Sequence, residues 1–218
     1  MAKAFTRIGK EISMAVKQNG PLPENNPRLR TLIQNAKNVN MPKDRIDAAI
    51  NRSANKDEAN FEELVYEGYG PHGVAILIET ATDNINRTVK NVRAIFTKAG
   101  CTLGKTGSLD FIFTRKGVFK FPATGINVEE LELELIDFGL DDIATSTEGE
   151  VYVYTAFQDF GIMQKALEEK GISVTNAELQ RIPQTFVELT AEQEEELLLL
   201  VEKFEEDDDV QAVYHNIK

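Results

Sequence analysis

Purely helical hydrophobic periodicity ends near Lys56, and the net charge changes sign at the same place. Before Lys56 the apolar residues recur at helical spacing. Phe5, Ile8, Ile12, Ala15 and Val16 line one face of a first helix, which Gly20-Pro21 stops. Asn26-Pro27 opens a second, with Asn26 as N-cap and Pro27 at the first helical position, striped by Leu29, Leu32, Ile33 and Ala36. Asn40-Met41-Pro42 ends that helix and starts a third, striped by Ile46, Ala49 and Ile50. Three short amphipathic helices make a small bundle, and Ser53 to Glu58 reads as a linker.

After the linker the pattern is that of strands and helices. Leu64 to Tyr69 and Val74 to Ile78 are predicted strands around a Gly70-Pro71-His72-Gly73 turn. A helix follows with Ile85, Val89, Val92 and Phe96 on one face, then strands at Leu109 to Phe113 and Gly117 to Phe121. Next come a helix over 128–138, strands over 142–147 and 150–155, a helix over 157–170 and a strand over 174–182. Counted from Val118 the order is βαββαβ, which lets two helices cover one face of a four-stranded antiparallel sheet. The tail adds a strand at Thr185 to Leu189, a helix opened by the capping box Thr190-Ala191-Glu192-Gln193, and a closing strand at Val210 to Ile217.

The tail is too small to be a domain, and the segment 62–115 is one helix short of a ferredoxin-like unit. Pairing them is the economical solution. The expected class is α+β multidomain: an N-terminal three-helix module plus two ferredoxin-like α/β domains, one inserted in the other. The expected divisions are 1–58, a discontinuous middle domain of 59–115 and 184–218, and an inserted domain of 116–183. The alternative is two sequential domains with a loose C-terminal arm.

The charge split suggests where a polyanion would dock. Met1 to Lys56 holds 11 Lys and Arg against 4 Asp and Glu, a net of +7, and the rest carries -19 of the overall -12. A nucleic acid is repelled by the acidic body and attracted by the basic module. Candidate phosphate contacts are Lys3, Arg7, Lys10, Lys17, Arg28, Arg30, Lys37, Lys43, Arg45 and Arg52, which mostly fall outside the apolar stripes. A second cluster, Arg87, Lys90, Arg93 and Lys98, either adds a contact or pairs with nearby carboxylates. Phosphate contacts of this kind bind without reading sequence and weaken with salt.

Other chemistries find little support. With one cysteine, Cys101, two histidines, His72 and His215, and no CxxC or HExxH spacing, neither a metal site nor a cofactor is expected. A Cys–His pair stays open, a partly buried structural role being the stronger reading of each. Gly100 to Gly107 resembles a phosphate loop, but the first glycine is one residue late and the loop leaves a helix to enter a strand, the reverse of what a P-loop requires. The acidic run Glu205 to Asp209 lacks the alternation of a calcium loop and reads as a solvated helix end. A lone cysteine and the absence of a long apolar run point to a cytoplasmic protein with no membrane partner.

Several motifs resemble the YebC/PmpR family across essentially the whole chain. They are Asn26 to Arg30, Asn40 to Asp44, Tyr66 to Ala75, Thr82 to Thr88, Gly107 to Phe111 and Asp209 to Asn216. The resemblance implies a helical N-terminal domain and two α/β domains, the middle one built from separated segments. It also implies a non-enzymatic regulator of gene expression: a DNA-binding transcriptional regulator or, alternatively, a ribosome-associated translation factor that activates translation or relieves stalling. Its partners would be DNA or ribosomal RNA at the basic module and proteins on the acidic body. A monomer is expected. Family members often begin with a further basic segment, whereas this chain starts at Met1-Ala-Lys-Ala-Phe, close to its first helix. A third reading, a small-ligand sensor, rests only on the expected ferredoxin-like domains.

Overall fold

The computed structural model describes residues 2–55 and 60–218. The second half of the expected linker, Lys56 to Glu58, lies outside the described residues. In chain order the elements are α1 (Ala2–Asn19), α2 (Pro27–Asn38), α3 (Lys43–Ala54), β1 (Glu62–Tyr69), β2 (Ala75–Thr82), α4 (Ile85–Lys98) and β3 (Thr102–Leu103). They continue with β4 (Phe113–Pro122), α5 (Val128–Leu135), β5 (Leu140–Thr145), β6 (Glu150–Ala156), α6 (Phe160–Glu169), β7 (Asn176–Pro183), α7 (Ala191–Glu205) and β8 (Val210–His215). The fold is α+β: N-terminal helices and two four-stranded sheets. The chain forms two compact units, one of residues 1–21, 48–114 and 182–218, the other of 22–47 and 115–181. The first 58 residues are thus shared between both.

In the first unit the sheet order is β3-β1-β2-β8, every neighbouring pair antiparallel. β2 lies inside this sheet and is buried on both faces, which explains its unbroken apolar start, Ala75-Ile76-Leu77-Ile78. One face carries α4 and α7 through Ile76, Ile78, Val92, Phe96, Leu197, Leu200 and Phe204, with the Phe96 and Phe204 rings 4.8 Å apart. The other face packs Ala75 and Leu77 against Leu109, Ile112 and Phe113. Gly68 on β1 has no room for a side chain: a Cβ would stand 2.7 Å from the Thr102 carbonyl oxygen and 2.9 Å from the Phe96 ring. The capping box forms as expected, with Gln193 N–H donating to Thr190 and Thr190 N–H donating to Gln193.

Two expected strands of this unit are absent. Residues 109–112 form turns, because the Leu109 N–H donates to the Glu67 carboxylate and the Ile112 and Phe113 N–H groups return to the Leu109 carbonyl. The alternating apolar residues there line a turn packed on the sheet, and β4 begins only at Phe113. In 185–189 only Val187 bridges Ile217, in parallel, so the segment is a brace and not a strand.

In the second unit β4-α5-β5-β6-α6-β7 fold into a sheet of order β5-β6-β4-β7, the ferredoxin-like order. Phe119, Phe121, Leu131, Leu135, Val151, Val153, Met163 and Leu167 form its core. Within this unit α2 is fastened to the sheet edge. Asn35 donates to the Ala177 carbonyl at 2.8 Å and accepts from the Ala177 N–H at 3.1 Å, so one side-chain amide satisfies both backbone groups of a β7 residue. Thr31 and Gln164 exchange hydrogen bonds alongside. Asn26, fully buried, caps α2 by accepting from the Leu29 N–H at 3.0 Å, as its position before Pro27 predicts.

Candidate nucleic-acid interface

The basic residues expected to meet phosphate fall into two groups. Those of α1 are engaged inside the first unit, with the end of α7 and the turn after it. Lys3 Nζ and Arg7 Nη2 donate to the Glu205 carbonyl at 3.4 and 3.3 Å. Helix carbonyls at a C-terminus have no intrahelical partner and carry the negative end of the dipole, so cations settle there. Lys10 goes deeper. Its Nζ donates to the Ala81 and Asp208 carbonyls and pairs with Asp209 Oδ1 at 3.0 Å, and its side chain is only 12% exposed. Lys17 donates to Asn60 Oδ1 at 2.7 Å.

Asp209 is the centre of this arrangement and is 3% exposed. The expectation that residues 205–209 form a solvated helix end therefore fails at its last member. Oδ2 of Asp209 accepts from Thr88 at 2.8 Å, from Thr82 at 3.1 Å and from Arg87 through both Nε and Nη2, at 3.1 and 2.7 Å. Its carbonyl accepts the Ala81 N–H at 2.8 Å. Burial pushes the Asp209 carboxyl up, but the hydrogen bonds from Arg87, Lys10 and Thr88 outweigh it and hold the group at about 2. Arg87 is raised by the same hydrogen bonds to Asp209 and Asp83. For Arg87 the structure selects the carboxylate-pairing alternative.

Other candidates lie on the surface. On α4, Lys90, Arg93 and Lys98 are exposed, on the side away from buried Thr88, Val92 and Phe96, and their side chains have no hydrogen bond or ion pair among the described residues. Lys37 and Lys43 have the same standing. Arg30, also exposed, donates to the Pro23 and Glu24 carbonyls at 3.0 and 3.2 Å and so holds the 3-10 turn before α2. Arg45 is exposed and Arg28 half-buried. Arg52 donates to the Ala48 carbonyl one turn back.

A second buried carboxylate, Glu67 on β1, was not singled out in the sequence. It is 3% exposed and accepts from the Gly107 and Leu109 N–H groups at 2.8 and 2.7 Å and from Ser108 Oγ at 3.2 Å. Its own carbonyl accepts the Gly104 N–H at 2.7 Å. Glu67 thus organises the loop that the sequence offers as a failed phosphate site, and two loop N–H groups that could face an anion are aimed at a carboxylate of the chain itself.

The Cys–His pair gains no support. Burial pushes the Cys101 thiol up and the His215 imidazole down, the reverse of what an activated thiolate–imidazolium pair needs. His72 meets Glu196 at 2.8 Å and Gln193 at 3.3 Å. Among the described residues no group of His, Cys, Asp and Glu is arranged to hold a metal ion, and no helix is long and apolar enough to cross a membrane.

Two family models match nearly every residue: the TACO1/YebC protein N-terminal domain over residues 1–56 and the TACO1/YebC second and third domain over 61–217. The chain belongs to the TACO1/YebC family. A relative from Cytophaga hutchinsonii, described as a probable transcriptional regulatory protein, is 63% identical over all of this chain and 91% of its own length. One of the same description from Flavobacterium psychrophilum is 52% identical, covering all of this chain and 92% of its own. The crystal structure of a conserved hypothetical protein from Aquifex aeolicus superposes with a TM-score of 0.86 at 37% identity, over all of this chain and 90% of that one. Four of the six motifs that carry the TACO1/YebC resemblance meet in space within the first unit. Tyr66 to Ala75 reaches Gly107 to Phe111 through Glu67, Thr82 to Thr88 reaches Asp209, and the Ala75 N–H donates to Asn216 at 2.8 Å.

Proposed function

We propose that this TACO1/YebC protein is a non-catalytic regulator of gene expression that binds nucleic acid, in the first place DNA, in the cytoplasm. Its TACO1/YebC relatives are described as probable transcriptional regulatory proteins. The observation that carries the reading is the unequal use of its cations. Within an acidic chain, Lys37 and Lys43 on α2 and α3 and Lys90, Arg93 and Lys98 on α4 stand exposed with no internal partner among the described residues. The main phosphate contact is α2 with the start of α3, through Lys37 and Lys43 first, with Arg28, Arg30 and Arg45 beside them. Lys3, Arg7 and Lys10 serve the fold.

The test is charge reversal at Arg28, Arg30, Lys43 and Arg45 together, with binding to duplex DNA and to purified ribosomes measured across a salt series. Loss of binding together with a shallower salt dependence is expected, since each lost phosphate contact removes about one counterion from the slope. Undiminished binding to both would falsify the proposal. Cross-linking in cells and sequencing of the bound nucleic acid separates promoter DNA from ribosomal RNA.

A further inference from the structure

We propose that the cleft between α2 and the sheet edge it is fastened to, within the second unit, binds a nucleotide. Ile33, Ile172 and Val174 take the base, Arg30 and Lys37 take the phosphate, and Glu168 accepts from an amino group on the base. Two sources share this chemistry: a free nucleotide and an unpaired residue of a strand. The choice of ligand rests on the nucleic-acid reading above, and the cleft itself does not.

The cleft has a volume of about 520 Å³ and is lined chiefly by residues of α2, α6, β7 and the turn before β7. Volumes of roughly 300–1,000 Å³ suit small organic ligands. Its walls are tied to each other. Asn35 on α2 bonds both backbone groups of Ala177 on β7, and Thr31 on α2 exchanges hydrogen bonds with Gln164 on α6. A cleft whose walls are fixed before binding loses little freedom when it is filled.

The chemistry of the walls selects the ligand. Arg30, Ile33 and Lys37 stand at i, i+3 and i+7, so they share one face of α2, while Leu29, Leu32 and Ala36 are buried on another. At 1.5 Å per residue the two cations are about 10 Å apart along the helix, with the apolar residue between them. Arg30 holds the turn before α2 through Nη1, which leaves Nε and Nη2 unused among the described residues. Lys37 has no side-chain partner there either. Ile33, Ile172 and Val174 are half-buried and give the cleft its apolar part. Glu168 is exposed, and among the described residues its carboxylate accepts one long hydrogen bond, from Gln164 at 3.5 Å. Inorganic phosphate would leave the apolar wall unused, and a fatty acid would leave Glu168 without a partner. A nucleotide meets all three: a ring for the apolar wall, phosphate for the cations, and an exocyclic amino group for the carboxylate, the contact by which Glu reads cytosine.

The experiment titrates the full-length protein with adenosine monophosphate, inosine monophosphate, inorganic phosphate and leucine, and separately with oligo(dA) and a mixed-sequence DNA duplex. Adenosine monophosphate should bind about tenfold more tightly than inosine monophosphate, which carries oxygen in place of the amino group, and Glu168→Ala should erase that preference. Ile33→Trp, and Ser173→Trp at an exposed position of the lining, fill the cleft and should abolish binding. Unchanged melting temperature in Ser173→Trp separates loss of binding from loss of folding. Binding of oligo(dA) but not of the free nucleotide, lost in the same variants, would also support the cleft and would assign it to unpaired residues of a strand. Binding that both tryptophan variants retain, no preference over inosine monophosphate, or phosphate or leucine bound as tightly as the nucleotide would overturn the proposal. A parent that binds the duplex but neither the nucleotide nor oligo(dA) would overturn the cleft and leave the nucleic-acid reading standing. A parent that binds the nucleotide in the cleft but neither duplex nor ribosomes would support the cleft and overturn that reading.

Discussion

α1 and α4 carry similar positive charge and use it in opposite ways. On α1, Lys3, Arg7 and Lys10 turn to the end of α7 and the acidic turn beyond it, and Lys10 is nearly buried against Asp209. On α4, Lys90, Arg93 and Lys98 are exposed, and of its cations only Arg87, in the first turn, reaches the same carboxylate. The lesson concerns counting. A formal charge of +7 over the first 56 residues is not a charge available to a ligand, because Lys3, Arg7 and Lys10 already have anionic or carbonyl partners inside the first unit. Conversely, α4 sits in a region whose net charge is strongly negative and still presents free cations. Phosphate-binding capacity follows the partners of each side chain, and the net charge of the segment only sets the background field.

The comparison can be broken first at Asp209. Replacing it with alanine leaves Lys10 enclosed without its counter-charge, and unfolding should become easier by about 3–5 kcal/mol in a denaturant titration. A loss below about 1 kcal/mol would mean that α1 is not clamped there. Acid provides a reversible version. Because the folded Asp209 titrates at about 2 and an unfolded aspartate at about 4, its contribution is complete above pH 4 and is lost as pH falls through 2. That window should hold about 2 kcal/mol of stability, which the Asp209→Asn variant lacks. Lys10→Met should cost less than the loss of Asp209, about 1–2 kcal/mol, since Arg87 and Thr88 still bind the carboxylate. At the small end, reversing Lys90, Arg93 and Lys98 to glutamate should shift stability by under about 0.5 kcal/mol while weakening nucleic-acid binding and flattening its salt dependence. A large stability loss from that triple variant would show that α4 and α1 do not differ as described.

Much of the fold was legible in the sequence because it rests on local chemistry. Asn26-Pro27 caps α2 and Thr190 to Gln193 caps α7 where the pattern places them. The βαββαβ run yields the ferredoxin-like strand order. The misreadings at 109–112 and at Asp209 have one cause: a polar group, backbone or side chain, found a partner distant in sequence. Leu109 alternates with Phe111 and Phe113 like a strand, but its N–H is taken by Glu67, forty-two positions away. Asp209 closes an acidic run that looks solvated, but Thr82, Arg87, Thr88 and Lys10 surround it.

The same cause explains why the TACO1/YebC motifs of the first unit say little about binding. Glu67 with the 107–109 loop, Asp209 with Thr82 to Thr88, and Asn216 with Ala75 are fasteners of the first unit. Buried polar groups of this kind tolerate few replacements, because an unpaired one costs the full desolvation penalty. They identify the fold, whereas the residues proposed to meet nucleic acid stand outside these contacts.

By itself the sequence determined the class of the protein, its caps, the order of its elements and the place where helical periodicity gives way to strands. Those features depend on neighbours within a few residues, or on the spacing of apolar side chains. Only the tertiary structure decided which charges remain free and which carboxylates are buried. A charged side chain reaches across several ångströms to whatever the fold brings near, and no spacing along the chain records that encounter.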